Sequence, residues 1–253
     1  MVKRILIAAT LTLVSASANA AGGDVPLMHA SVDLSNTASL QRGARTFINY
    51  CSGCHSAQYM RYSRLMEDLG LTEEQMREAF MFNPEAGLGD LLTVAMDPED
   101  AEQWFGVVPP DLTLVARSKG VDWVYTFLKS YYADPGQGTG WNNTLFKGTA
   151  MPHVLWELQG IQELNTHSGD EAGAEAAQGG HAENGSGFSM RTEGSLSATE
   201  YDAMLNDLVT FLEYMGEPAK LDRKNIGVWV LLYLALFAFV AFLLKREFWR
   251  DIH

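Results

Sequence analysis

The chain has 253 residues, of which 47% are hydrophobic, and its formal net charge is −13 at pH 7. This length allows one domain with appended segments. The acidic balance excludes a nucleic-acid partner, because proteins that bind nucleic acids present a basic surface to the phosphates.

The start of the chain has the three parts of a secretory signal peptide. A basic start, MVKR, precedes an apolar run over residues 5–14 and then small residues, with Ala18 and Ala20 in the Ala-x-Ala positions. A short buried helix would not need these features in this order. We therefore expect residues 1–20 to be removed on export, so that the mature chain begins at Ala21.

A helix is predicted next, because apolar residues recur at helical spacing up to the first cysteine. These residues are Leu40, Ala44, Phe47, Ile48 and Cys51. The helix would deliver the following motif to a bound group.

Both cysteines of the chain lie in the stretch CSGCH, separated by two residues and followed directly by a histidine. This spacing is typical of c-type haem attachment, since two thiols so placed can add to the two vinyl groups of one haem. We expect Cys51 and Cys54 to tether the haem covalently and His55 to ligate its iron. A thioredoxin-like redox pair would need a βαβ context, and a zinc site would need a second Cys or His pair.

Further helices are predicted from their N-terminal caps and apolar faces. The caps are Thr72 with Gln75, Asp97 before Pro98, Asp111, and Ser197 with Glu200. One apolar face comprises Trp123, Phe127, Leu128 and Tyr131, and the last comprises Tyr201, Met204, Leu205, Leu208, Leu212 and Met215. No strand pattern competes, so the predicted fold class is all-α. We expect a single cytochrome c-type haem domain over residues 21–222.

The sixth iron position separates electron transfer from ligand chemistry, because a closed coordination sphere leaves no place for oxygen or peroxide. Met151 lies in FKGTAMPHVLW, a segment with Gly and Pro that can return over the far side of the haem. His153 is the rival ligand. A thioether raises a haem potential and bis-histidine ligation lowers it, which favours Met151.

Residues 165–192 are expected to form a flexible acidic loop inserted in the domain. The segment is rich in Gly, Ala and Glu and has few large apolar side chains. It cannot bury enough surface to fold by itself. A solvated loop is the favoured interpretation, and a partner-binding segment is the alternative.

A transmembrane helix is predicted near the end of the chain. The run IGVWVLLYLALFAFVAFLL contains no charge, and at 1.5 Å per residue it spans about 28 Å. We expect the anchor to occupy residues 223–245. The signal peptide sets its orientation in a bacterial cytoplasmic membrane, with the haem domain on the periplasmic side and residues 246–253 in the cytoplasm.

Several stretches in succession resemble the cytochrome c1 family, the haem subunit of bacterial cytochrome bc1 complexes. They are CSGCHSAQYMRYSRL, WFGVVPPDLTLVARS, GTGWNNTLFKGTAMPHVLWELQG, LNDLVTFLEYMGEPA and REFWRDIH. The resemblance covers nearly all of the mature chain in the family's order, except for the loop around residues 165–192.

The resemblance implies site residues and a role in the respiratory chain. The family's axial ligands fall on His55 and Met151, and an arginine that pairs with a haem propionate matches Arg117. The haem would take one electron from a Rieske iron-sulfur protein and pass it to a cytochrome c. This subunit would make or break no bond itself, and would stand beside the cytochrome b subunit of a ubiquinol:cytochrome c oxidoreductase.

The charge of the exported domain predicts a basic acceptor. Loss of Lys3 and Arg4 with the signal peptide takes the formal charge from −13 to −15. An acidic surface would steer a basic cytochrome c toward the haem edge. The acidic residues nearest the haem motif in sequence are the expected contacts, namely Glu67, Asp68, Glu73 and Glu74.

Two alternatives belong to other functional classes. The first is a freestanding membrane-anchored cytochrome shuttle, which would purify without other redox centres. The second is a haem enzyme or gas sensor with an open sixth position, which carbon monoxide binding to the reduced form would reveal.

Overall fold

The structure, a computed structural model, describes residues 25–165 and 187–250. The expected signal peptide at residues 1–20 lies outside the described residues. So do most of the expected acidic loop and the last three residues of the chain.

The described residues form nine helices and six short strands. The helices, α1 to α9, are Thr37–Tyr50, Tyr62–Asp68, Glu73–Phe80, Pro98–Phe105, Val115–Lys119, Val121–Lys129, Trp156–Gln159, Ala198–Gly216 and Lys220–Phe248. The strands, β1 to β6, are Ala57–Arg61, Leu91–Leu92, Tyr131–Ala133, Trp141–Asn143, Gly160–Leu164 and Phe188–Glu193. They pair as three antiparallel ribbons, β1 with β2, β3 with β4, and β5 with β6.

The expected all-α fold class is therefore only partly right, because the described residues also contain three short antiparallel ribbons. Strands β2, β3 and β4 have only two or three residues, too few to show the alternation by which a strand is recognised in a sequence. Strand β6 lies at the end of the segment that was expected to be a loop over residues 165–192. It pairs with β5 from Gly160 opposite Glu193 to Leu164 opposite Phe188.

The predicted helix starts at Thr72, Asp97 and Ser197 are confirmed. The Thr72 and Ser197 hydroxyls each accept a hydrogen bond from the backbone N–H three residues on, at Gln75 and Glu200 respectively. In both cases the Gln75 or Glu200 side chain accepts a hydrogen bond from the backbone N–H of the cap residue, which completes a capping box. The Asp97 side chain caps α4, which begins with proline.

Helices α1 and α8 cross at the centre of the core. The Phe47 and Phe211 rings meet there at 5.6 Å between centroids, and both are fully buried. At the edge of the crossing, Arg42 donates two hydrogen bonds to the Asp207 carboxylate, at 2.6 and 2.9 Å. The helices approach so closely at Gly43 that a Cβ there would overlap the backbone carbonyl of Asp207. This contact fixes the position of α1, whose end carries the haem-attachment motif.

Helix α9 is long and apolar enough to cross a membrane, and its apolar side chains are exposed in the single chain. It begins and ends a few residues beyond the expected span of 223–245. Arg223 in its first turn donates to Glu217 at 2.5 and 3.1 Å, which ties the helix to the end of α8. The helix fits a membrane anchor that starts directly beneath the domain.

Gly43→Ala is expected to destabilise the domain. An added Cβ forces the crossing apart at a cost of about 1–3 kcal/mol in a packed core, and the higher helix propensity of alanine returns only about 1 kcal/mol. For an overlap with backbone we expect a net loss of about 2 kcal/mol, or a thermal midpoint lower by about 4–8 °C. Circular dichroism of the detergent-solubilised chain measures this midpoint.

Gly138→Ala is the matched control. A Cβ at Gly138 meets no atom within 4 Å, so this variant should unfold within about 1–2 °C of the unmodified chain, as for ordinary surface substitutions. Equal midpoints for the two variants would contradict the close crossing of α1 and α8.

Candidate functional site

The end of α1 brings the two thiols and the imidazole of the CSGCH stretch together. The Cys51 N–H donates to the Phe47 carbonyl at 2.8 Å, and the N–H groups of Cys54 and His55 donate to the Cys51 carbonyl at 3.1 and 2.8 Å. The chain therefore turns tightly around Cys51. No disulfide joins the two cysteines, and both line the same cavity as His55.

One hydrogen bond orients the His55 ring. Its Nδ1 lies 2.7 Å from the backbone carbonyl of Pro110. Because a carbonyl can only accept, Nδ1 carries the proton and Nε2 keeps its lone pair. Burial lowers the pKa of His55, while the Pro110 carbonyl opposes that shift. The ring is therefore neutral at physiological pH, in the form that ligates a metal.

The segment that carries Pro110 is joined to the chain just after the motif. The Leu112 N–H donates to the Ser56 carbonyl at 2.9 Å, and the Asp111 carboxylate accepts from the Gln58 N–H at 2.7 Å. The expected helix cap at Asp111 is wrong, because α5 begins only at Val115 and has no side-chain cap. Asp111 instead joins two loops, and in this way it holds the Pro110 carbonyl within hydrogen-bond distance of His55 Nδ1.

The motif opens onto a cavity of about 430 Å³ lined mainly by apolar side chains. Its volume is within the usual range of cofactor sites, about 300–1,000 Å³. Trp123 and Phe127 of α6 stack at 5.2 Å along one wall, and Leu208 and Leu212 of α8 also line it. Two thiols, an imidazole lone pair and apolar walls in one cavity fit a covalently attached haem.

Met151 lines this cavity together with Cys51, Cys54 and His55. His153, the rival sixth ligand, is not among the residues that line it. Its ring is only 2% exposed and is stacked on Tyr131 instead, at 4.8 Å between centroids. Burial lowers the pKa of His153 to about 4, and the neighbouring Gln159 amide opposes the shift. The structure thus places the methionine, rather than the histidine, next to the haem motif.

Two asparagines that the sequence analysis did not single out hold the Met151 loop. Asn143 is fully buried; its amide donates to the Phe127 carbonyl at 2.7 Å, and its Oδ1 accepts from the N–H groups of Leu145 and Phe146 at 2.9 and 3.1 Å. The Asn142 side chain accepts from the Gly148 N–H at 2.9 Å. Paired asparagines before a Gly-containing loop were the available sequence signal, since such side chains often close turns.

Arg117, the expected propionate partner, does not line the cavity. Its guanidinium lies 3.8 Å from the Glu217 carboxylate at the junction of α8 and α9, and the side chain is largely exposed. Lys119, two residues on, is the one Lys or Arg side chain lining the cavity in the described part of the chain. Its Nζ lies 5.5 Å from the centre of the Trp123 ring. The expectation for Arg117 came from the family resemblance, and no pattern in the sequence singled out Lys119.

Comparison with known proteins gives a family match. The chain matches the model of the Cytochrome C1 family over residues 29–171 and 193–252. It is similar to cytochrome c1 of Allochromatium vinosum, with 48% identity over 251 residues, covering 99% of this chain and 100% of the relative.

Two further similarities carry other names. The ammonia monooxygenase gamma subunit of Nitrosomonas europaea is 41% identical over 254 residues, covering 100% of this chain and 99% of the relative. A chain of a solved hyperthermophilic respiratory Complex III aligns with 100% of this chain and 98% of its own length. Its TM-score is 0.45 at 15% identity, a likeness too distant to establish a shared fold.

The placement of Met151 and His153 yields a direct test. In the haem-loaded protein, Met151→Leu should keep the haem covalently bound, lower its potential and allow carbon monoxide to bind the reduced form, because a thioether ligand is lost. Absorption spectra and a redox titration measure these changes.

His153→Ala is the comparison variant for this test. It should keep the Met-to-ferric charge-transfer band, since its ring faces Tyr131 and Trp141 rather than the cavity. Carbon monoxide binding in His153→Ala but not in Met151→Leu would reverse the ligand assignment.

Proposed function

Because the chain belongs to the cytochrome c1 family, which carries one covalently attached haem c, we propose that it passes single electrons from a Rieske iron-sulfur protein to a cytochrome c. Family membership gives it an electron-transfer role in a cytochrome bc1 complex of the respiratory chain. The observation that carries the finer proposal is the cavity that places Cys51, Cys54, His55 and Met151 around one space.

The residues of this cavity have distinct roles in the proposal. Cys51 and Cys54 would tether the haem, and His55 and Met151 would ligate its iron. When bound, the haem supplies a one-electron iron couple. The Pro110 carbonyl keeps the His55 ring in the ligating tautomer, and the apolar walls keep water from the metal. A thioether ligand and a dry site both favour a high reduction potential, which suits a donor to another cytochrome.

The proposed docking surface for the acceptor lies on α4 and the residues after it. Phe105 and Val107 line the cavity, so this segment reaches the cavity mouth. Trp104, beside them, is 62% exposed. Three acidic residues on the same short helix are also exposed, namely Glu99, Asp100 and Glu102. An exposed aromatic residue with acidic neighbours, next to the redox site, suits a brief encounter with a basic cytochrome c.

The acidic residues of α2 and α3 are weaker candidates than the sequence suggested. The Asp68 carboxylate accepts from Arg64 at 2.6 Å and from the Tyr214 hydroxyl at 2.7 Å, so it is engaged inside the domain. Glu73 pairs with Arg77 at 2.9 Å. Neither helix contributes a residue to the cavity lining. Nearness in sequence to the haem motif did not predict nearness to the cavity mouth.

The proposal includes a place in the membrane. Helix α9 would anchor the domain in the bacterial cytoplasmic membrane beside the cytochrome b subunit. The signal peptide expected at residues 1–20 would export the domain, so that it faces the periplasm and the chain end stays in the cytoplasm. The uncharged apolar run of α9 offers no group for proton or quinone chemistry. Helix α9 would therefore serve to hold the haem at the membrane surface.

Purification through a tag on this chain in mild detergent tests the assembly. We expect b-type haem and an iron-sulfur protein to co-isolate with it, since a bc1 complex contains both. Isolation of this chain with its own haem alone would instead support the freestanding shuttle. Isolation with monooxygenase subunits would favour the role that the name of the Nitrosomonas relative carries.

Charge neutralisation on α4 tests the docking surface. The triple variant Glu99→Gln, Asp100→Asn, Glu102→Gln should slow oxidation by a basic cytochrome c about tenfold at low salt, because electrostatic steering is lost. The effect should shrink above about 0.1 M salt, where the Debye length falls to about 10 Å. Stopped-flow oxidation of the reduced protein across a salt series measures both.

The matched control removes the same number of charges from α2 and α3. It is the variant Glu67→Gln, Glu73→Gln, Glu74→Gln, which leaves the hydrogen bonds of Asp68 to Arg64 and Tyr214 intact. We expect its rate to stay within about twofold of the unmodified protein, the effect of charges away from the contact site. A larger loss in this control than in the α4 variant would move the docking surface to α2 and α3.

A further inference from the structure

Tyr131 has an unusual number of contacts with the loop that carries Met151. It is fully buried in β3, and its ring is nearly parallel to the His153 ring, at 4.8 Å and 5°. The ring also makes a T-shaped contact with Phe127, which lines the cavity, at 5.2 Å and 69°. Tyr131 therefore contacts both the cavity wall and the loop.

The Tyr131 hydroxyl reaches the backbone of the residue expected to ligate iron. Its Oη donates to the Met151 carbonyl at 3.2 Å. Thr149, which lines the cavity two residues earlier, has its side chain close enough to interact with the same hydroxyl. Burial raises the pKa of Tyr131, so the hydroxyl keeps its proton and remains a donor at any physiological pH.

The third contact fixes the far side of the loop. His153 is held between Tyr131 and Trp141, whose ring meets it edge-on at 5.1 Å and 79°. The loop thus touches one tyrosine at three alternate positions, through a side chain at Thr149, a carbonyl at Met151 and a ring at His153. The Met151 side chain is left to line the cavity.

We propose that Tyr131 is the positioning residue for the sixth ligand, holding the Met151 backbone so that the thioether stays over the iron. The inference rests on the proposed ligation by Met151. It adds that the equilibrium between bound and dissociated thioether is set by a hydrogen bond from β3. Without the hydroxyl, a carbonyl in the domain interior loses its partner and the loop gains freedom to withdraw.

Tyr131→Phe isolates this role, because it removes the hydroxyl and keeps the ring that stacks on His153. Imidazole binding to the ferric, haem-loaded full chain reports the dissociated fraction, since an external ligand binds only when the thioether has left. Its apparent dissociation constant varies inversely with that fraction. We expect this dissociation constant to fall about fivefold, which corresponds to the net free energy of one neutral hydrogen bond. The Met-to-ferric charge-transfer band should also weaken.

Tyr201→Phe is the matched control. Tyr201 is also buried, and its hydroxyl donates to a backbone carbonyl at 3.3 Å, but this carbonyl is that of Leu128 in α6 and not one of the Met151 loop. This variant should lose similar stability and leave the imidazole affinity unchanged. An equal gain in affinity for both variants would show a general loosening of the domain and overturn the positioning role.

A second variant keeps the inference testable if Tyr131→Phe does not fold. Thr149→Val removes the hydroxyl beside Tyr131 and preserves the side-chain shape, so it should shift imidazole affinity in the same direction by about twofold, a fraction of one hydrogen bond. Suppose that the unmodified protein shows the charge-transfer band but imidazole affinity is unchanged in the folded Tyr131 and Thr149 variants. This result overturns the positioning role of Tyr131 and leaves ligation by Met151 standing. Absence of that band from the unmodified protein contradicts ligation by Met151 and the inference together.

Discussion

The hydrogen bond from His55 Nδ1 to the Pro110 carbonyl is the contact on which the site depends. At 2.7 Å it determines which ring nitrogen is free for a metal. It also requires two segments 55 residues apart to lie side by side. The Asp111 carboxylate meets that requirement, because it accepts the Gln58 N–H from the chain after the motif. Residues between Pro110 and Lys119 then continue along the cavity, so one local junction aligns both the ligand and the cavity wall.

The opposite side of the cavity is built by a different kind of contact. Helix α6 and strand β3 present a row of aromatic rings, and the Met151 loop lies against it. Buried asparagines and one tyrosine satisfy the loop's backbone groups, which would otherwise be costly to bury. A loop fixed in this way can present a weak thioether ligand without secondary structure of its own. The two sides meet because α8 packs on α1 and also lines the cavity.

In the proposed function, the surface around this cavity separates anchoring from recognition of the acceptor. Arg117 and Glu217 stand where α5 meets the start of the membrane helix. The exposed acidic residues of α4 belong instead to the helix that carries the exposed Trp104 and contributes Phe105 to the cavity lining. Acidic residues lie both near the start of the membrane helix and on α4. Only charge near the redox site can orient a partner for electron transfer. A high net charge alone therefore could not locate the proposed docking surface.

The sequence by itself determined what depends on neighbouring residues. The helix starts at Thr72, Asp97 and Ser197 follow from cap and backbone groups within four residues of each other, and the haem motif from three side chains in five positions. The position of Met151 in the cavity lining was also within reach, because its loop is marked by Gly and Pro. Only the tertiary structure decided which of Arg117 and Lys119 lines the cavity, which acidic helix contributes to its lining, and where the short strands pair. These depend on contacts between residues far apart in the chain, and no local pattern encodes the side of the cavity to which a residue will turn.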